Sequence, residues 1–575
     1  MNRLRTGQAP TRAQPQRNCP GPDSPNPKQH VTKVSAINAE AANATTWRLA
    51  ARLDKWTALR TGWGFYALLA LLALTAIPYG TVAPWWETLF ECGIFALASG
   101  WVYRMTQRAQ PGPWLAGGTL LAPWLALLVF AVLQTLPVWP SARGPLGYVL
   151  SASPFETWRF ILKVLALVLA GMLLRAGIEG KAQRFRALVH FVIGVGVASA
   201  CFALWRKSAQ TPGSAFVLPG LQAGIGFGQF INHNHFAFLM EMTWGLLCGL
   251  VIGAHRQSRR FWFYASAGVI VWLALVLSNS RGGVYSMLGQ LCCLAVLWPR
   301  LRSAQVGQAA AAAASLPTVP ETQRLPAAPG LPRASWVRRL ALGACLLAVS
   351  VIGVSWIGGD SLANRFDQLP RELSVDTALN PRLQVRRIEM WQAAWQLIQT
   401  QPLAGSGLGA FEAAVTEYYD ASGNWTLRQA HNDYLELLAG GGVVGALLLG
   451  WFVIVLLWQA RRQLQVPDPF RRAVCVGALV GLSGVAMHSL VDFGLHLPVN
   501  ALIGAALVVL ATTPRVHEFS AAAQDAQPST IPSLPQPATA ADCLAAPAKS
   551  PALAQPTRET SGKRRAVQPS RKEPK

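Results

Sequence analysis

The chain has 575 residues, 52% of them hydrophobic and only 13% charged, about half the charged share of an average soluble domain. That composition excludes an ordinary soluble enzyme, because too little polar surface exists to cover the apolar part. A formal charge of +24 would suit nucleic acid if it lay on one face, but Lys and Arg gather in alternate connections between apolar blocks, the positive-inside pattern of a multi-spanning membrane protein.

Residues 1–62 are polar, basic and Pro-rich without apolar periodicity, the composition of a disordered tail. The first apolar block after them is expected to act as an uncleaved signal anchor. Blocks long enough to cross about 30 Å of hydrocarbon as helices fall near 63–79, 86–102, 114–136, 159–174, 187–205, 236–254, 261–278, 284–298, 338–357, 436–458, 473–491 and 496–512. The expectation is an all-α polytopic membrane protein of about twelve spans, both termini cytoplasmic. Its parts are a membrane domain of eight spans over 63–298, an Ala/Pro-rich flexible cytoplasmic linker over 299–337, four further spans over 338–512, and a basic disordered tail over 513–575. None of the nine Cys follows a metal spacing or sits in the large outer loop, which excludes a disulfide scaffold there.

Two outer connections are more than turns. Pro212–Ile231, where Gly220, Gly224, Gly226 and Gly228 interrupt an otherwise apolar stretch, is expected to be re-entrant or membrane-skimming. The second, 358–432, is long enough to be functional. Within it Ile388, Trp391, Trp395 and Ile398 recur at three- and four-residue steps, which predicts a helix over 381–400 with one apolar stripe. Gly405-Ser406-Gly407-Leu408-Gly409 comes next as a flexible turn.

Cations are scarce on the outer side, so those present are candidates. Arg281, in the tight turn Ser278-Asn279-Ser280-Arg281-Gly282-Gly283, lies close to membrane depth, where an ionisable residue marks a functional site unless it snorkels from a helix end. Arg386 and Arg387 lie on the predicted loop helix. Guanidinium forks suit phosphate oxygens, and because consecutive helical residues point about 100° apart, one of the pair faces a site. The alternative is a solvated charged face. In His431-Asn432-Asp433-Tyr434-Leu435-Glu436 the Asp433/Glu436 spacing resembles a capping pair. His431 therefore stands just outside a helix N-terminus, as a candidate base or a structural histidine. His233 and His235, two residues apart, read as structural. His488 and Asp492 lie at the outer end of the eleventh span, where a carboxylate could pair with an Arg or orient a His.

Together these blocks resemble the O-antigen ligase and polymerase superfamily of bacterial envelope polysaccharide enzymes. The resemblance rests on Phe230-Ile231-Asn232-His233-Asn234-His235-Phe236-Ala237, on Ser280-Arg281-Gly282-Gly283, and on Arg387, Trp391 and Ala394 ahead of Pro402–Gly409. It continues through the His431–Glu436 block and Gly440–Gly445 to His488 and Asp492-Phe493. It implies a multi-pass protein of the bacterial inner membrane with a GT-C-like fold, carrying out a cofactor-free, metal-independent, inverting glycosyltransfer at the periplasmic face. The implied donor is a glycan on undecaprenyl diphosphate and the acceptor a hydroxyl of lipid A–core or a similar glycolipid or glycan. His431 would deprotonate the acceptor, Arg281 with Arg386 or Arg387 would hold the diphosphate, and Asn432, Asp433, Asp492 and His488 would support them. A repeat-unit polymerase or a protein O-oligosaccharyltransferase is the alternative within the superfamily. A lipid-linked glycan transporter would instead need ionisable groups along the midplane, where Lys163 is the exception among residues otherwise gathered at the rim.

Overall fold

The computed structural model describes residues 62–107, 118–137, 149–211, 214–314, 387–419 and 427–514. Within them the helices are α1 Gly62–Thr75, α2 Pro84–Thr106, α3 Gly118–Gln134, α4 Pro154–Ile178, α5 Ala182–Ala209, α6 His233–Gly253, α7 Arg259–Leu277, α8 Arg281–Ala314, α9 Arg387–Thr400, α10 Phe411–Val415, α11 Asp433–Gln463, α12 Pro469–His488 and α13 Pro498–Thr512. Six of them, α4, α5, α6, α7, α11 and α12, are long and apolar enough to cross a membrane, with α1, α3 and α13 as shorter apolar helices. The protein is an all-α polytopic membrane protein. Each expected span except the ninth falls on a helix; the ninth, residues 1–61 and residues 515–575 lie outside the described residues. α8 continues to Ala314, into the stretch expected as linker, because Ala309–Ala314 is a run of the best helix former.

Two packing features set the architecture. First, α6 carries Gly245, Gly249 and Gly253 at four-residue steps, and α12 answers with Ala473, Gly477 and Gly481. A methyl group on Gly249 would collide with the backbone of Ala473 and Gly477, and one on Gly245 with that of Gly481. The two helices therefore touch backbone to backbone, the small-residue packing that apolar solvent favours. α8 also lies against α12, but there each glycine receives a side chain from the other helix: Met487 sits on Gly289 and Gln290 on Gly484. Gln290 locks the three together by donating from Nε2 to the carbonyls of Glu241 (2.8 Å) and Val480 (3.2 Å).

Second, α11 is interrupted at Gly442, whose φ of 59° and ψ of −159° are not helical. A broken helix at membrane depth must find other partners for its backbone. The connection after α9 supplies them. Ser406 N donates to Ala439 O (2.8 Å) and Gly407 N to Gly440 O (3.0 Å), while Val443 N donates to Pro402 O (2.9 Å) and Val444 N to Leu403 O (3.1 Å). The glycine-rich segment expected as a flexible turn is thus a buried plug. Gln134, at the end of α3, seals it: Nε2 donates to Ala404 O (2.7 Å) and Gly440 O (2.9 Å), and Oε1 accepts from Leu408 N (3.0 Å).

The connection before α6 is a small antiparallel hairpin, β1 Ala215–Phe216 with β2 Leu218–Gln222, pairing Ala215 with Gln222 and Phe216 with Leu218 across a bulge. Buried Arg206 organises the stretch between this hairpin and α6, donating to the carbonyls of Gly228 (2.7 Å), Gln222 (2.8 Å) and Ile225 (2.8 Å). One cation of the outer rim therefore has a structural task. On α9 the buried face is Ala393, Ala394, Leu397 and Ile398, packed with α10 and Ala439. The expected stripe is corrected at Trp395, which is exposed, because the two alanines allow the closer approach to α11.

Replacing Gln134 by Leu would leave Leu408 N–H and Ala404 C=O without these partners in an apolar interior, at about 1–3 kcal/mol each. The expected result is a clearly lowered thermal unfolding midpoint of the purified protein, whereas an unchanged midpoint would show that the plug does not depend on the side chain.

Candidate functional site

The α6/α12 seam sets the start of α6 beside the turn after α12, and Asp492 lies between them. Its side chain has no exposed surface, yet it collects partners from several elements. His431 Nδ1 is 3.2 Å from Oδ1, Arg387 Nη2 is 3.5 Å from Oδ2, Phe493 N donates to Oδ1 at 2.9 Å, and Asn234 Nδ2 donates to Oδ2. His235 stands nearby, with Nε2 3.9 Å from Oδ1.

Asn234 is itself held. Its Oδ1 accepts from Ser280 Oγ at 2.7 Å, and Ser280 Oγ accepts from Gly283 N at 3.1 Å. A continuous line of hydrogen bonds therefore runs from the Ser280-Arg281 turn through Asn234 and Asp492 to His431. Arg281 opens α8 as the next residue after Ser280.

His431 precedes the N-cap of α11, as the sequence predicts, but the capping side chain is Asn432. Its Oδ1 accepts from Tyr434 N (3.0 Å) and Leu435 N (3.1 Å). Glu436 reaches back to accept from Ala430 N (3.2 Å), while Asp433 accepts from Ser489 Oγ (2.6 Å). The Asp433–Ser489 contact, in which Asp433 N also donates to Ser489 O (2.9 Å), ties the start of α11 to the end of α12. His431 adopts a left-handed φ of 48°, uncommon for a residue with a side chain and frequent at functional sites. The rings of His431, His235 and His496 all meet Phe493 edge-on, at centroid distances of 4.7, 4.8 and 5.6 Å.

The electrostatics arise from this packing. Burial by itself would raise the Asp492 carboxyl, but the His431 hydrogen bond and the flanking His235, His431 and Arg387 charges outweigh it and hold it well below the usual carboxylate range. An ionised Asp492 accepts the Nδ1 proton of His431, which leaves Nε2 as the proton acceptor of the neutral ring. The His431 side chain is 28% exposed and that of Arg387 35%. The arrangement can thus bind an anion and take a proton at one opening.

Of the sequence-derived candidates, His431, Arg387 and Asp492 come together, and Asn432 and Asp433 secure the helix end beneath them. Arg386 lies outside the described residues. His488 is fully buried beyond this cluster, with Nδ1 2.6 Å from Glu241 Oε1 and its ring stacked on Phe238. Glu241 is a further ionisable residue within a span, besides Lys163, and sequence reasoning passed over it. Lys163 pairs with Glu87. His235, read as structural, borders the cluster, and Asn234 and Ser280 were carried inside quoted motifs without a role. Only the contact with Asp492, 258 positions away in the chain, distinguishes Asn234 from its neighbours.

Fold and site together define a polytopic membrane protein with an acid–base and cation cluster at one end of its bundle. Residues 266–450, a stretch that includes Arg281, Arg387 and His431, match the family model described as O-antigen ligase, which supports a likeness to the O-antigen ligase/polymerase superfamily. Members are glycosyltransferase-like enzymes acting on lipid-linked glycans and acceptors. No curated protein matches the sequence.

A carboxyl whose folded pKa lies below its unfolded value of about 3.9 contributes stability above that pH and loses it as pH falls through the folded value. Asp492→Asn is therefore expected to lower the unfolding midpoint at neutral pH and to flatten the decline below about pH 4. Identical pH profiles for the two proteins would show that the carboxylate is not held by these partners.

Proposed function

We propose that the protein is an O-antigen ligase-like glycosyltransferase of the bacterial inner membrane, moving a glycan from undecaprenyl diphosphate to a hydroxyl of lipid A–core or a similar acceptor at the periplasmic face. The observation that carries this reading is the partly exposed His431 imidazole backed by the buried Asp492 carboxylate, with Arg387 alongside. His431 Nε2 takes the proton of the acceptor hydroxyl. The freed oxygen attacks the anomeric carbon opposite the diphosphate, the bond from that carbon to the phosphate oxygen breaks, and the configuration inverts.

Negative charge grows on the departing diphosphate, and guanidiniums held at that point act where charge develops. Arg387 and Arg281 take this role, so the reaction as proposed is metal-independent. Arg387 is favoured over Arg386 by its place beside Asp492. The outer rim near the helix ends that carry these residues is taken as periplasmic, with both chain termini cytoplasmic, since the basic connections lie at the other end.

In a strain lacking the native gene, His431→Ala is expected to insert and accumulate normally while leaving lipid A–core unmodified beside accumulated polymer on envelope-glycan gels. Rate losses of about 10²–10⁴ accompany removal of a positioned general base. Normal transfer would sink the base assignment, and accumulation of single repeats would identify a polymerase instead. Arg387→Lys keeps the charge but loses the planar fork, and should weaken transfer at least tenfold; unimpaired transfer would remove Arg387 from the diphosphate site.

A further inference from the structure

The end of the bundle opposite His431 carries a cavity that the proposed reaction does not use. It measures about 260 Å³ and is lined by Arg186 and His190 of α5, Arg259, Arg260, Phe263 and Tyr264 of α7, and Phe470 of α12. The helix directions fix its position. α5, α7 and α12 all begin here and run toward the end where α6, α8 and α11 begin and where Asp492 lies.

Its chemistry is that of an anion site. The lining has no carboxylate. Among the described residues, Arg186, Arg259 and Arg260 form no salt bridge and no side-chain hydrogen bond; the Arg186 guanidinium lies over the Phe470 ring, 5.6 Å from its centroid. Other arginines at this end are engaged: Arg184 donates to Gly177 O (3.4 Å) and Arg471 to Thr513 O (3.1 Å). The floor is fixed, because His190 Nδ1 bonds Arg186 O (2.8 Å) and its Nε2 lies 3.2 Å from Tyr264 Oη. A rigid floor under three guanidiniums of unspent hydrogen-bonding capacity is suited to a phosphodiester, whose oxygens accept forked donors.

The apolar side of the cavity selects the source of that phosphate. Phe263 and its neighbour Trp262 are 58% and 66% exposed, and Val269, two turns further along α7, is exposed as well. In a membrane-spanning helix such a face meets lipid, with Trp at the headgroup level. A volume somewhat below the roughly 300–1,000 Å³ of small-molecule pockets accommodates a headgroup while the acyl chains lie outside against α7. We infer that this cavity binds the phosphodiester headgroup of an anionic glycerophospholipid from the leaflet facing away from His431, bridging α5, α7 and α12. Nothing in this inference depends on the glycosyltransfer.

The full-length protein in detergent micelles, titrated with dioctanoyl phosphatidylglycerol, dioctanoyl phosphatidylcholine or inorganic phosphate, tests it through the thermal unfolding midpoint. Phosphatidylglycerol is expected to raise the midpoint saturably, and the other two to leave it unmoved. The triple variant Arg186→Gln, Arg259→Gln, Arg260→Gln should weaken the apparent affinity roughly a hundredfold, from about fivefold per lost cation, without changing the lipid-free midpoint. An equal shift with phosphatidylcholine, an equal shift with phosphate, or full retention of the shift in the variant overturns the assignment. Native mass spectrometry of the wild-type protein in an equimolar mixture of the two lipids decides independently of variant folding: preferential retention of phosphatidylglycerol supports the site, and equal retention overturns it.

Discussion

A carboxylate taken fully out of solvent is costly unless its charge is matched and its lone pairs are filled. Asp492 meets that requirement with groups that no single segment could supply: an amide from the start of α6, an imidazole from the start of α11, a guanidinium from α9, and a backbone N–H from its own turn. Each partner is placed by its own helix. The ionised state of Asp492 therefore depends on four parts of the chain being assembled at once. The orientation of His431 depends in turn on that state, since an ionised Asp492 accepts at Nδ1 and frees Nε2.

The helices can present these groups because they are held without slack. Glycine against glycine along α6 and α12 removes the side-chain layer between the two helices, so Asn234 and Asp492 are brought within hydrogen-bond distance. At α11 the opposite device operates. The helix is broken at Gly442, and the segment after α9 is inserted into the break by backbone hydrogen bonds and by Gln134. α9, which carries Arg387, is thereby anchored to the helix that carries His431 at its start. Backbone groups at membrane depth must be satisfied within the protein, and here that requirement joins the arginine to the histidine.

The two ends of the bundle use cations differently. Near Asp492 they face a carboxylate or backbone carbonyls: Arg387 contacts Asp492, and Arg206 spans three carbonyls of the hairpin region. At the far end Arg184 and Arg471 also meet backbone carbonyls, whereas Arg186, Arg259 and Arg260 line a cavity without a carboxylate. The proposed donor and the inferred lipid share phosphate chemistry, yet their sites lie at opposite ends of the helices, so occupancy of one requires no contact with the other.

The sequence by itself determined the class of fold, because apolar blocks of spanning length and alternating basic connections are local properties that a membrane reads directly. It also marked His431 as lying just outside a helix N-terminus, since the spacing of Asp433 and Glu436 is local as well, and it singled out the Arg281 turn and Asp492 by their positions at span ends. The features it left open needed three-dimensional contacts. Asn432 rather than Asp433 caps α11, the glycine-rich segment is a plug rather than a flexible turn, and α9 buries Ala393 and Ala394 while exposing Trp395. Arg387 could not be separated from Arg386, nor Asn234 from the histidines beside it, by composition or periodicity. Their roles are set by distances to Asp492 across more than a hundred residues of chain, and only tertiary packing fixes such distances.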